Sequence, residues 1–254
     1  MDLASISFII PVLNEQRLIM RLLEQFTPER RKRYGIEVIV SDGGSTDGTQ
    51  DIIAQAYSQG LVSVIVHHTD TTRRQTIAEG RNVGAQRATA PILVFINADT
   101  LPQNLDALCH SILTWAHSPA TQSSPAAATP VHIAPEERRC SDSIFHTSMN
   151  FYVRLLNAIG IGMGRGECHI IRRTAFEAVG GYNPNIVAGE DFDLYRRLRQ
   201  YGKIAWLPQA LVYESPRRFR KYGYMRIMWR WSLNALSVFI FGHSVSKEWE
   251  LIRE

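Results

Sequence analysis

The chain has 254 residues, 45% hydrophobic and 20% charged, a composition that excludes collagen-like and disordered classes and leaves room for one large α/β domain or two small ones. Its formal charge of +4 is uneven: from Ser215 onward eight Lys and Arg face three acids, a tail of +5 behind a body, residues 1–214, of −1. The near-neutral body argues against nucleic acid as a partner, because a nucleic-acid-binding domain spreads its basic face over the body.

Cys109, Cys140 and Cys168 are odd in number and contain no CxxC pair. Neither a disulfide framework nor a structural zinc site is therefore expected, and a reducing compartment fits. Met1-Asp2-Leu3-Ala4-Ser5 lacks the basic and apolar regions of a signal peptide. The apolar segment Leu233 to Gly242 is about half the length of a membrane-spanning helix. A cytoplasmic protein is the expectation.

In chain order, Ile6-Ser7-Phe8-Ile9-Ile10-Pro11-Val12 is a short apolar run that reads as a buried strand of a parallel sheet. Leu18, Ile19, Leu22, Leu23 and Phe26 have helical spacing and predict a crossover helix over 15–26. Ile36 to Val40 is a second buried strand, closed by the turn sequence Ser41 to Thr49, where Thr46 or Asp47 can cap a helix through Ile52, Ile53 and Tyr57. Leu61 to Val66 reads as a third strand, Thr76 to Ala88 as a helix of small residues, and Ile92 to Ile96 as a fourth strand ending at Asn97-Ala98-Asp99. This alternation predicts an α/β fold, a mostly parallel central sheet flanked by helices. Ser118 to Thr129, rich in Ala, Ser, Thr and Pro, reads as an exposed loop before a strand at Pro130 to Ile133. A helix over Ser143 to Ile159, a glycine-rich stretch Gly160 to Gly166 and extended chain at Cys168 to Ile171 follow. Glu190 to Tyr201 reads as a helix with an acidic start and a basic second half, and Ile204 to Pro208 as a last short strand.

The acids fall at strand ends: Asn14-Glu15 after the first strand, Asp42 after the second, Asp99 after the fourth. Open parallel sheets bind ligands beyond the carboxyl ends of their strands, so these residues point to one site. An acidic cleft does not favour a naked pyrophosphate. It suits hydrogen bonding to a base and ribose, or Mg²⁺ or Mn²⁺ bridging a carboxylate to phosphate oxygens. Each acid also has a reading as a cap or turn residue, preferred for Asp47. Neither GxGxxG after the first strand nor GxxxxGK[ST] is present, which weighs against a Rossmann dehydrogenase and a P-loop NTPase. Gly43-Gly44 reads as turn geometry, His67-His68 as a surface pair and His169 as structural.

Six segments then stand out by order and spacing: Ser7 to Glu15, Val38 to Thr49, Gly80-Arg81-Asn82-Val83-Gly84-Ala85, Phe95 to Thr100, Ile171 to Tyr182, and Gly189-Glu190-Asp191-Phe192-Asp193-Leu194. Over about residues 5 to 215 the sequence resembles family 2 glycosyltransferases of the GT-A fold. The resemblance implies that Glu15 and Asp42 hold the base and ribose of a nucleotide, with Pro11 and Asn14 shaping the loop. It places Arg81 in the nucleotide pocket, against a phosphate or stacked near the base, where composition alone reads a solvated helix arginine. The family's Asp-x-Asp metal motif is Asn97-Ala98-Asp99 here: Asp99 matches the metal ligand, and Asn97 removes one negative charge. Asp191 matches the catalytic base and Glu190 orients acceptor or base, although composition alone reads both as the first turn of a polarised helix. Gly164, Gly166 and Glu167 fall where such enzymes place donor-sugar and acceptor contacts, a flexible turn without contacts being the other reading of this loop. The implied reaction is inverting transfer from a UDP- or GDP-sugar to a hydroxyl acceptor, in this family often a lipid-linked or surface glycan, with Mg²⁺ or Mn²⁺ offsetting diphosphate charge.

Residues 215–254 read as a basic-aromatic helical extension of a catalytic domain at 1–214. Arg217, Arg218, Arg220, Lys221, Arg226 and Arg230 alternate with Phe219, Tyr222, Tyr224, Trp229 and Trp231. Three readings stay open: a lid over the donor diphosphate with Arg217 and Arg218 as its cations, a contact through 215–242 with the anionic inner face of a membrane, or a packed amphipathic helix. A sugar nucleotidyltransferase is the alternative enzyme, weakened because Pro11 to Gln16 lacks a basic glycine-rich loop. A non-catalytic nucleotide-sugar-binding or membrane-docking protein is the alternative that Asn97 motivates.

Overall fold

The computed structural model describes residues 5–70 and 72–246. Met1 to Ala4, which enter the signal-peptide expectation, and residues 247–254 of the expected extension lie outside the described residues. The first half of the chain alternates strand and helix: β1 (Ile6–Val12), α1 (Ile19–Leu23), α2 (Pro28–Tyr34), β2 (Ile36–Asp42), α3 (Thr49–Ser58), β3 (Val64–His67), α4 (Ile77–Arg87) and β4 (Ile92–Ile96). A second stretch follows with β5 (Thr100–Pro102), α5 (Leu105–His117), β6 (Ala126–Ala128), β7 (Val131–His132), α6 (Cys140–Ala158), β8 (Cys168–Arg172) and α7 (Arg173–Ala178). The chain continues through α8 (Glu190–Arg199), β9 (Ala205–Trp206), β10 (Val212–Glu214), α9 (Arg217–Tyr222) and α10 (Tyr224–Phe241).

β1 is buried along its length except at Pro11, as a strand covered on both faces must be, and it lies between β2 and β4, parallel to both. The seven-stranded sheet has the order β3-β2-β1-β4-β8-β6-β9, with β8 antiparallel to β4 and β6, and a small second sheet runs β5-β10-β7. Alternate side chains feed two cores. Phe8, Ile10, Val94 and Ile96 meet α1, α3 and α5 on one face, and Ile9, Ile39, Leu93 and Phe95 meet α4, α6 and α8 on the other. The mostly parallel α/β architecture is therefore as expected. Register sets the site: Val12 pairs with Asp42, so β1 and β2 end at the same edge, and Pro11 and Asn97 come two residues after the last paired positions Ile9 and Phe95.

Three expectations differ from the structure. The helix expected over 15–26 is confined to Ile19–Leu23, because residues 14–16 are committed to hydrogen bonds with the 45–49 loop. The stretch expected as an exposed loop contains β6, an all-alanine strand buried at every position between β8 and β9. Alanine gives no alternating polar pattern, and the small side chains suit close approach; a Cβ on neighbouring Gly202 would lie 2.0 Å from the Ser123 carbonyl oxygen. Finally, α5 is absent from the expectations although its buried Leu105, Leu108, Cys109, Ile112 and Trp115 have helical spacing and Asn104 caps it.

Candidate active site

The loops after β1 and β2 are laced together. Asn14, the one described non-glycine residue with a left-handed backbone (φ 56°), donates its N–H to Ser45 Oγ and accepts from the Thr46 N–H at 2.7 Å. The Glu15 N–H reaches Thr49 Oγ1 at 2.9 Å, and Gln16 Oε1 accepts from the Gly48 N–H. The Asp47 carboxylate accepts from the Thr49 N–H at 3.0 Å, a turn-and-cap role at the start of α3. Asp42 is fully buried: its carboxylate accepts from the Ser45 N–H at 3.0 Å and from Gln50 Nε2 at 2.9 Å, with His67 Nδ1 3.4 Å away. Asp42 thereby organises its own turn, and His67 is half-exposed beside it.

Arg81, on α4, is 1% exposed, so it is not a solvated helix arginine. Its guanidinium donates to Glu190 Oε1 at 2.9 Å, to Asn97 Oδ1 at 3.0 Å and to the Gly166 carbonyl at 2.7 Å, and it lies 5.2 Å from the Tyr182 ring centroid. One buried cation thus joins three candidate segments: the start of α8, the Asn97-Ala98-Asp99 motif and the glycine-rich loop. The neighbouring Asp191 accepts from the Phe192 N–H at 2.8 Å, and a Cβ on Gly166 would lie 3.3 Å from its Oδ2. Burial pushes the Asp191 carboxyl up to about 7, and the adjacent Glu190 charge adds to that shift. Gly164 has a packing role, since a Cβ there would sit 2.4 Å from the Tyr195 ring. His169, expected as structural, is buried with Nδ1 2.6 Å from the Tyr182 hydroxyl.

On the outer side of the motif, Ala98 is buried and Asp99 is 31% exposed on its side chain. Arg217, first residue of α9, donates to both oxygens of Glu15, at 3.0 and 2.9 Å, and to Asp99 Oδ2 at 3.1 Å. Burial raises the Glu15 carboxyl, with Arg217 opposing and Asp99 adding to the shift. Arg218 is half-buried on the same helix. Asp99 also lines an open cleft with Ala98, Tyr213, Glu214 and Ser215; Asp191 is outside its lining.

Sequence reasoning passes over Glu214. Its carboxylate pairs with Arg165, which also lies 3.3 Å from Glu167 Oε2 and donates to His146 Nδ1. Burial and the adjacent Glu167 push Glu214 well above the usual carboxylate range, whereas Arg165 holds the buried Glu167 below it. An acid closing a strand just before Pro216 and Arg217 is the same signal that marks Asp42 and Asp99.

Among the described residues no group of three or more His, Cys, Asp or Glu side chains is arranged to hold a metal ion. Asp99 offers one carboxylate, and Asn97 is turned to Arg81. One carboxylate is a weak site for Mg²⁺ or Mn²⁺ alone, and phosphate oxygens of a bound diphosphate would complete it, a common arrangement for a cation that keeps several waters.

The parallel sheet with its site at the strand ends is of the GT-A type. The chain is similar to the mannosyltransferase PcManGT from Pyrobaculum calidifontis, solved with GDP-Man and Mn²⁺, with a TM-score of 0.66, 22% identity, and coverage of 92% of this chain and 64% of that one. The succinoglycan biosynthesis protein ExoA of Rhizobium meliloti is 27% identical over 227 residues, 86% of this chain and 67% of the relative. Validoxylamine A glucosyltransferase of Streptomyces hygroscopicus subsp. limoneus is 35% identical over 96 residues, 38% of this chain and 20% of the relative, so the match spans a fifth of that protein. The glycosyl transferase family 2 pattern matches residues 7–180, and the chain belongs to that family.

Proposed function

We propose that the protein transfers a glycosyl group from a nucleotide-diphosphate sugar, a UDP- or GDP-sugar, to a hydroxyl acceptor with inversion, residues 1–214 being the catalytic unit. The observation that carries this reading is the Arg81 guanidinium bonded at once to Glu190 and Asn97, which ties the residue beside the expected base Asp191 to the expected donor motif. Asp191 is the general base: its carboxylate, sheltered beside Gly166, takes the proton of the acceptor hydroxyl as that oxygen attacks the anomeric carbon. Glu190 is held by Arg81 and positions Asp191 through the first turn of α8. Glu15 and the laced 13–16 and 43–49 loops hold the nucleoside, with Asp42 and Asn14 fixing loop shape. Arg217 leaves Asp99 for the diphosphate when the donor enters, the lid role, with Arg218 beside it. A divalent cation held by Asp99 and the diphosphate would offset charge on the leaving group. Glu167 and Gly166 border the acceptor side. The acceptor is a lipid-linked or surface glycan, as the family resemblance implies.

The test combines binding and turnover. Calorimetry with UDP and GDP, with and without Mn²⁺, is expected to give metal-dependent binding to at least one. Asp191→Asn is expected to abolish transfer while nucleotide affinity stays within about threefold, because Asp191 acts on the acceptor proton. Full activity of Asp191→Asn removes its role as base, and absence of any nucleotide binding removes the donor site.

A further inference from the structure

Large apolar side chains that stay exposed are concentrated on two helices. Among the described residues all but Tyr57, Tyr201 and Val245 lie on α10, on α6 or at Ile159, which ends α6. On α6 they are Ile144, Phe151, Tyr152, Leu155 and Ile159, from 44% to 70% exposed, a stripe at helical spacing away from the buried Phe145, Val153 and Leu156. On α10 they include Met225, Trp229, Leu233, Leu236, Phe239 and Ile240, opposite the inward Ile227, Asn234 and Val238.

The two helices run side by side in the same direction. Near their N-terminal ends Phe145 meets Tyr224 with ring centroids 4.4 Å apart, and Arg220 donates to Asp142 at 2.7 Å. Towards the C-terminal end of α10, Val238 packs with Ile161 and Met163, just past the end of α6. Both stripes point away from the shared contact at about 100° per residue, and both lie on outer faces of the helix pair that stay exposed. Scattered exposed apolar residues need no explanation; a face this long and continuous does.

We propose that α6 and α10 together form a docking face for an anionic lipid surface, with the protein lying on the membrane rather than through it. Charge selects this occupant. No acid occurs from Ser215 to Ser246, and the one acid of α6, Asp142, is buried against Arg220 and Tyr224. The exposed cations Arg154, Lys221 and Arg226 therefore face no carboxylate from either helix that an approaching anionic headgroup would have to displace. A second copy of the chain fits worse, because a self-complementary contact would bring these cations together with no acid from either helix to meet them. Aromatic Phe151, Tyr152 and Trp229 beside arginines suit interfacial depth, and no described helix is long and apolar enough to cross a membrane. The inference does not depend on the transfer reaction.

Vesicle flotation of the full chain tests it, with pure phosphatidylcholine against phosphatidylcholine mixed with phosphatidylglycerol. Strong binding to the mixed vesicles only, weakened by added salt, is expected. Phe151→Ser with Leu155→Ser on α6, and Trp229→Ser with Leu236→Ser on α10, are each expected to lower binding roughly tenfold or more. All four positions are exposed, and Lys221→Glu with Arg226→Glu is a second probe that leaves the apolar stripes intact. Nucleotide calorimetry on the same samples reports separately on the donor site. No flotation with the mixed vesicles, equal flotation with both kinds, or α6 variants that float like wild type would overturn the proposal. So would a dimer in light scattering that the same substitutions dissociate.

Discussion

Asp191 can act as a base only when ionised, and its surroundings delay that. Burial first, and then the Glu190 charge, lift the carboxyl from its usual 3.8 up to about 7. Transfer is therefore expected to rise with pH through about 7, the acidic limb of the rate profile being Asp191 losing its proton. Glu190→Gln keeps an oxygen for Arg81 but removes the neighbouring negative charge, so the limb should move to lower pH; an unmoved limb would show that Glu190 does not act on Asp191. Stability has the opposite sign. A carboxyl whose pKa is raised on folding favours the native state below its unfolded value of 3.8 and loses that contribution as pH rises through about 7. Asp191→Asn is thus expected to melt above wild type in alkaline buffer and to lose that advantage in acid, as thermal scans across pH would measure. Neutral asparagine avoids burying a charge that the proposed base requires.

The elements that carry these residues approach closely, and glycine permits it. Gly84 faces β1 from α4, three residues after Arg81, and an added Cβ would lie 2.5 Å from Ile9 Cγ2, a fully buried atom's neighbourhood with no room to yield. In an open helix Gly→Ala gains up to about 1 kcal/mol in propensity. Here Gly84→Ala is expected to cost about 1–3 kcal/mol in urea unfolding, because α4 must lift from the sheet. A neutral or stabilising result would show that the helix shifts freely. The sequence motif around Gly80 to Ala85 thus contains two kinds of information, a cation for the site at Arg81 and a packing requirement at Gly84. Sequence pattern cannot separate them. The same ambiguity holds at Asp42: an acid after a strand marks the ligand edge of the sheet, but whether its oxygens face solvent depends on Ser45, Gln50 and His67.

Across the whole molecule, what was legible was local. Apolar runs mark β1, β2 and β4 because strands buried on both faces have few polar residues, and the acids at their ends follow from where parallel sheets place ligands. β6 was not legible, since three alanines show neither alternation nor bulk. Glu214 was missed because β10 reaches Asp99 only by inserting between β5 and β7 in the second sheet. The Arg217 bridge is the longest-range case, joining residues 202 positions apart at Glu15 and bringing a cation from the tail to the proposed donor site. That bridge has a measurable consequence. Arg217 donates to Asp99 Oδ2, so a metal ion seeking the same carboxylate must displace a guanidinium, and a charge-assisted hydrogen bond contributes about 1.5–3 kcal/mol. In calorimetry without nucleotide, Arg217→Ala is therefore expected to bind Mn²⁺ roughly tenfold or more tightly than wild type. With UDP or GDP present the sign should reverse, because the variant has lost the cation that moves to the diphosphate. If Arg217→Ala leaves both affinities unchanged, the bridge is a surface ion pair without a part in the donor site; if only the metal affinity rises, Arg217 guards Asp99 but does not grip the diphosphate.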